Sequence, residues 1–310
     1  FVDAFAPDLL FIPIYYSHYI HDINFWIKNR CGIPAVGYIS DDNYSLRKIS
    51  FNPLFWIDRL IMRRRLRKVF AACDIVYTIS ENQKEYLRQR FGDKFKVLTK
   101  YAEFDKSNKP AGFRPHAPLR MLYTGNLGSG RYSSIGLIVK ALRQVNVHEQ
   151  RIVFDIYTST VLSEKLRSRL NTAETTLHDA VSFEKVLELQ RRADILVHVE
   201  GLSLKERLDV AHSFSTKIVD YLQQCKPIFV VGKDDCASIR YFTDNDSGIV
   251  AQNYDEIVRK LTAVAASPEI LEDYAEKAWT CGEKNHRKSI HQEALKNDLL
   301  NVVKQTNKTR

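Results

Sequence analysis

The chain has 310 residues, 45% of them hydrophobic and 27% charged, which favours two domains with cores of their own and excludes a disordered or disulfide-stapled chain. Its net charge of +9 suits an anionic ligand, an anionic membrane surface or nucleic acid. Five scattered cysteines without a CxxC pair argue against a zinc or disulfide framework and for a reducing compartment, and the longest clean apolar run, Leu9 to Tyr16, is far too short to span a bilayer.

No secretory signal pattern opens the chain, which begins at Phe1 rather than Met; a missing N-terminal part is the expectation. Leu9 to Tyr15 reads as a buried strand, Tyr19 to Arg30 as a helix closing near Gly32, and Pro34 to Ser40 as the next strand. Strand, helix and strand at this spacing form a βαβ unit, which builds parallel sheets. Asp41, Asp42 and Asn43 follow the second strand, where open parallel sheets place their ligands. They read equally as a solvated turn. Asn52-Pro53 opens a helix reaching about Ala71, with Phe55, Trp56, Leu60 and Ile61 beside Arg59, Arg63, Arg64, Arg65, Arg67 and Lys68. Such a basic amphipathic helix either lies on an anionic membrane or shows a solvated face above a core stripe. Asp74 to Ile79 is a strand, Ser80 caps a helix, and Lys96 to Thr99 is a last short strand. Residues 102–118, with Pro110, Pro115 and Pro118, read as a linker.

Met121 to Thr124 is the first strand of the second half, and a helix covers Ser134 to Val145. Strands follow at Ile152–Tyr157, up to Phe183, at Asp194–Val199, Pro227–Val231 and Gly248–Val250. Helical patterns cover about 163–171, 184–192, 216–224, 254–266, 268–282 and 287–305, and Glu200 to Ser213 reads as a long mixed-charge connection. This alternation is doubly wound α/β in both halves.

Two segments carry phosphate-type chemistry. In Gly125-Asn-Leu-Gly-Ser-Gly-Arg131, glycines after a strand let backbone amides approach an anion, the next helix adds its positive end, and Arg131 adds a planar charged fork. A plain strand–loop–helix connection fits the same residues. In His212-Ser-Phe-Ser-Thr-Lys217, Ser213, Ser215 and Thr216 can cap a helix whose first turn holds Lys217. A cation there opposes the helix dipole unless an anion offsets it, and Asp220 lies one turn further on.

The order of these segments, with Ser182-Phe183-Glu184, Ala193-Asp194-Ile-Leu and Ser215-Thr-Lys-Ile-Val-Asp-Tyr-Leu-Gln-Gln-Cys-Lys-Pro227, resembles the donor domain of group 1 (family 4-like) glycosyltransferases. Ala6-Pro-Asp8, Gly32-Ile-Pro34 and Ala72-Cys-Asp-Ile-Val-Tyr-Thr-Ile-Ser80 look like that family's N-terminal domain. The resemblance implies the GT-B fold: two Rossmann-like, doubly wound parallel-sheet domains facing a cleft. It implies a partial acceptor-side domain over 1–105, a donor domain over 106–284, and a terminal helix over 285–310 crossing back to the first domain. It also implies a missing first strand, glycine-rich turn and helix.

By the same resemblance, Arg131 and Lys217 are the catalytic charge stabilisers. Gly125, Asn126, Gly128, Phe183, Ser215, Thr216 and Asp220 bind the donor nucleotide, and Asp41, Asp42 and His212 line the substrate side. Asn126 departs from an expected arginine and His212 from an expected glutamate. Asp220, counted back from Pro227, takes the place of the ribose-binding glutamate. The implied activity is a retaining, metal-independent transfer of a sugar from a nucleotide-diphosphate donor to a glycan, lipid or protein, with no cofactor. A sugar-nucleotide epimerase and a non-catalytic GT-B-like partner protein are the rivals. The implied partners are a nucleotide sugar and a glycan or glycolipid acceptor, with peripheral contact to an anionic membrane and no nucleic acid. The implied location is cytoplasmic, on the inner membrane face if peripheral.

Overall fold

The structure, a computed structural model, describes residues 2–110 and 112–309. It divides into two units: one takes the residues up to Lys100, Leu208–Phe214 and the chain from Lys288 onward, the other Tyr101–Arg207 and Ser215–Arg287.

The first unit contains α1 (Val2–Phe5), β1 (Leu10–Pro13), α2 (His18–Cys31), β2 (Ala35–Ile39), α3 (Pro53–Ala72), β3 (Ile75–Thr78), α4 (Glu81–Phe91) and β4 (Phe95–Val97). The four strands form one sheet in the order β1-β2-β3-β4, all parallel, with Leu10 opposite Ala35 and Tyr38 opposite Tyr77. Asn52 caps α3 by accepting from the Leu54 amide, with Pro53 at the first helical position. α3 buries Met62, Leu66, Val69 and Phe70 against the core of this sheet. Each such side chain contributes roughly 1.5–3 kcal/mol.

The second unit contains β5 (Leu119–Thr124), α5 (Arg131–Val145), β6 (Ile152–Thr158), α6 (Glu164–Leu170), β7 (Thr175–Asp179), α7 (Phe183–Arg192), β8 (Ile195–Val199), α8 (Leu204–Val210), α9 (Lys217–Gln223), β9 (Ile228–Val231), α10 (Ala237–Asp244), β10 (Ile249–Ala251), α11 (Tyr254–Ala266) and α12 (Ile270–His286). The end of α8 belongs to the first unit. The six strands lie in the order β10-β9-β8-β5-β6-β7, all parallel. The chain enters the middle of the sheet at β5, winds outward through β6 and β7, and returns to β8. The order therefore reverses between β5 and β8, and ligands of such sheets bind beyond the carboxyl ends at that point. Every residue of β8 and β9 is buried, as strands covered on both faces require. The last helix, α13 (Lys288–Thr309), belongs to the first unit. There Val302 joins Val36 and Tyr77 in a small core, and Tyr77 donates to Asp298 at 2.8 Å.

Several elements differ from the sequence reading. The strand expected to end at Phe183 is β7, ending at Asp179, and Phe183 opens α7 instead. The connection over 200–213 contains α8, and α10 is an additional short helix. The linker is anchored at its start: Phe104 is fully buried against Trp279. The span 106–284 is also interrupted, because Leu208–Phe214 packs with the first unit.

Candidate functional site

The carboxyl ends of β5 and β8 bring together Gly125, Lys217, Arg131, Glu200 and His198. Gly125 has φ +152°, and a Cβ there would stand 3.0 Å from Lys217 Nζ. Only glycine admits this approach without strain. Lys217 Nζ donates to the Thr124 carbonyl at 3.3 Å and lies 4.4 Å over the Tyr123 ring and 5.8 Å from that of Tyr221. Among the described residues no carboxylate pairs directly with it. Burial first, and then the nearby Arg131 cation, lower its pKa to about 8 against the opposing pull of Glu200.

Arg131 opens α5 and donates from Nε and Nη2 to Glu200 Oε2, at 3.1 and 2.9 Å. Glu200 directly follows β8 and is buried. Burial raises its pKa, against the pull of Arg131 and Lys217. His198, in the middle of the all-buried β8, has no hydrogen-bond partner at either ring nitrogen, and its Nε2 lies 3.5 Å from Glu200 Oε1. Burial, then the two cations, hold it neutral, well below the usual histidine range.

Beside this cluster is a cavity of about 280 Å³. Its lining includes Thr124, Gly125, Asn126, Tyr157, Lys217 and Asp220, together with the exposed Phe183. A cation, a carboxylate and aromatic rings around one hollow suit a polar ligand with an anionic and a planar part.

Several of the expected site residues also hold the local structure. Gly125 N donates to the Tyr157 carbonyl at 3.0 Å, Leu127 N to Thr160 Oγ1 at 2.9 Å, and Gly128 N to Asn126 Oδ1 at 2.5 Å. Asn126 thus folds its own loop, and three amides expected to face an anion are already satisfied. Gly130, at φ +80°, precedes α5, and a Cβ there would fall 2.1 Å from the Glu206 carboxyl carbon. An internal carboxylate therefore stands over the glycine turn. Thr216 occupies the N-cap position of α9 in helical dihedrals, without a side-chain cap bond, and Ser215 donates its amide to Ser238 Oγ at 3.1 Å. Neither lines the cavity.

Asp41, Asp42 and His212 belong to the first unit. Asp42 is buried and accepts from Ser45 N at 2.8 Å and from Ser45 Oγ. Arg59 Nη2 lies 3.4 Å from Oδ1, and Lys48 Nζ lies 3.7 Å from Oδ2. Asp41 is exposed and gives its carbonyl to Gln83 Nε2 at 2.9 Å. His212 is buried with its ring 4.7 Å from that of Tyr86, and its carbonyl accepts from Ser80 Oγ at 2.8 Å. Burial lowers its pKa.

Glu200 is the residue that sequence reasoning missed. It is the first residue after β8, a strand flanking the reversal of strand order, and that order is visible only in the fold.

No protein-family model matches the chain, and no curated protein matches it in sequence. Solved structures do. HepE from Anabaena, crystallised with UDP, superposes with a TM-score of 0.71 at 12% identity, over 97% of this chain and 80% of that one. TarM of S. aureus gives 0.67 at 12% identity, over 95% of this chain and 54% of TarM. Sucrose-phosphate synthase from Thermosynechococcus elongatus gives 0.66 at 12% identity, over 96% and 77%. The chain spans about half the length of TarM. The neighbours are GT-B glycosyltransferases, and the fold of this chain is GT-B.

Proposed function

We propose that this chain transfers a sugar from a nucleotide-diphosphate donor to a glycan, lipid or protein acceptor, with retention and without a metal. The observation that carries this reading is the enclosed ammonium of Lys217, held against Gly125 with no carboxylate of its own, at the edge of a cavity that also presents Asp220 and Phe183. When the bond from the anomeric carbon to the diphosphate breaks, negative charge gathers on the leaving diphosphate. Lys217 and Arg131 supply fixed positive charge there, pre-oriented and partly desolvated, which is where such charge acts most strongly. Arg131 stands behind the cavity rather than in its lining, and its Nη1, outside the pair with Glu200, is the donor we assign to the diphosphate. Asp220 accepts from the ribose hydroxyls, and Phe183 with Val181 covers the base. In this reading the two cations take the part a divalent ion plays elsewhere.

Neighbours crystallised with UDP make UDP-sugars the first donors to test. Thermal-shift screening against UDP-, GDP- and ADP-sugars identifies the base. Sugar release then requires an acceptor; conversion of the donor without one reassigns the chain as an epimerase, and no stabilisation by any sugar nucleotide reassigns it as a non-catalytic partner.

A further inference from the structure

α3 is apolar on two opposite sides. Met62, Leu66, Val69 and Phe70 face the core. On the other side Leu54 is 71% and Ile57 56% exposed, Leu60 and Ile61 are exposed as well, and Phe51 in the preceding loop is 99% exposed. Leu54, Ile57, Ile61, Arg64 and Lys68 follow one another at spacings of three and four, so they share one outward stripe. The stripe is apolar over the first half of the helix and basic over the second, where Arg64 and Lys68 are exposed.

The remaining arginines of α3 are engaged within the unit. Arg59 pairs with Asp42, Arg65 donates to Asp22 at 2.6 Å, Arg63 stacks 4.3 Å over Tyr44, and Arg67 donates to Tyr44 Oη at 3.2 Å. Asp58, beside the stripe, accepts from Tyr16 at 2.6 Å and lies 3.0 Å from His18 Nε2. The outward stripe thus presents branched apolar side chains and cations, and no carboxylate. A helix that is apolar on both sides needs a cover on each. Cations without acids call for an anionic cover, while isoleucines and a phenylalanine in the same stripe call for a hydrocarbon one.

We propose that this stripe docks the chain on an anionic lipid surface. Phe51, Leu54, Ile57 and Ile61 enter the boundary between headgroups and acyl chains, and Arg64 and Lys68 reach lipid phosphates. The helix is about 30 Å long and lies along the surface; no helix among the described residues is long and apolar enough to cross a membrane. The residues of this stripe all belong to the first unit, and those that line the cavity belong to the second.

Co-sedimentation of the full chain with vesicles tests it, using phosphatidylcholine alone and phosphatidylcholine mixed with phosphatidylserine. The chain pellets with the anionic vesicles, and high salt releases it. Arg64→Gln with Lys68→Gln weakens that binding about tenfold or more. Leu54→Asn with Ile57→Asn weakens binding similarly, while circular dichroism and melting temperature stay as in the parent because these side chains are exposed. No pelleting with either vesicle, equal pelleting with both, or unchanged binding by the charge variant overturns the proposal. So does self-association, seen by light scattering and lost in the Leu54→Asn variant, when vesicle binding is absent.

Discussion

Two buried charge clusters, one in each unit, follow parallel strands and are built on opposite lines. In the first unit, Asp42 is enclosed by Ser45, Arg59 and Lys48, and its charge is answered on every side. In the second, Lys217 rests on a carbonyl and two aromatic rings, Arg131 shares Glu200, and both nitrogens of His198 lack partners. Buried polar groups are normally satisfied, so a closed cluster explains itself as architecture and an open one calls for a ligand. An acid at the carboxyl end of a strand is therefore not by itself a functional residue. What separates the two clusters is whether the protein has completed the hydrogen bonding.

The sharpest way to break this contrast is to remove one member from each cluster. Asp42→Ala leaves Arg59 buried without its acid and lowers unfolding free energy by about 3–5 kcal/mol, measured by urea denaturation. A loss below 1 kcal/mol would show that the first cluster does not hold its loop. Lys217→Ala acts the other way. It lowers sugar transfer at least 100-fold, in line with the loss of one charge stabiliser, and leaves unfolding nearly unchanged. Parent-like turnover in that variant rejects the assignment.

Gly125→Ala tests the close approach more finely. Its methyl group would press on Lys217 Nζ at a φ that side chains rarely adopt. Stability falls by about 1–2 kcal/mol and the nucleotide dissociation constant rises about tenfold, both readable from thermal and calorimetric titration. The smallest effect is that of pH. With its pKa near 8, the Lys217 ammonium is lost as pH rises through that value. Diphosphate affinity is then highest below pH 8 and falls above it, by up to about tenfold per pH unit. Lys217→Met flattens this limb; an identical limb in the variant assigns the titration elsewhere.

The strands were legible because strands of a doubly wound sheet are continuous apolar runs. Val-Ile-Phe-Val-Val types of sequence have few other readings. α8 and α10 were less so: they are short, and α8 is a mixed-charge piece whose periodicity is weak. β7 was displaced because Thr175–Asp179 is polar except for Leu177, while Val181 and Phe183 look more strand-like. At the site, the juxtaposition of Gly125, Arg131 and Lys217 follows from residue types that need special surroundings. The bond by which Asn126 folds its own loop and the placement of His212 in the first unit were not legible, because a loop's internal hydrogen bonds and the return of Leu208–Phe214 to that unit arise only in three dimensions. Glu200 hid among ordinary acids until the strand order placed it beside Arg131.

The most direct measurement is a calorimetric titration of UDP into the full chain and into its Lys217→Met variant at neutral pH. The account predicts one binding event in the parent and its loss, at least 100-fold in affinity, in the variant. Equal binding by both, or none by the parent to UDP, GDP or ADP, would contradict it.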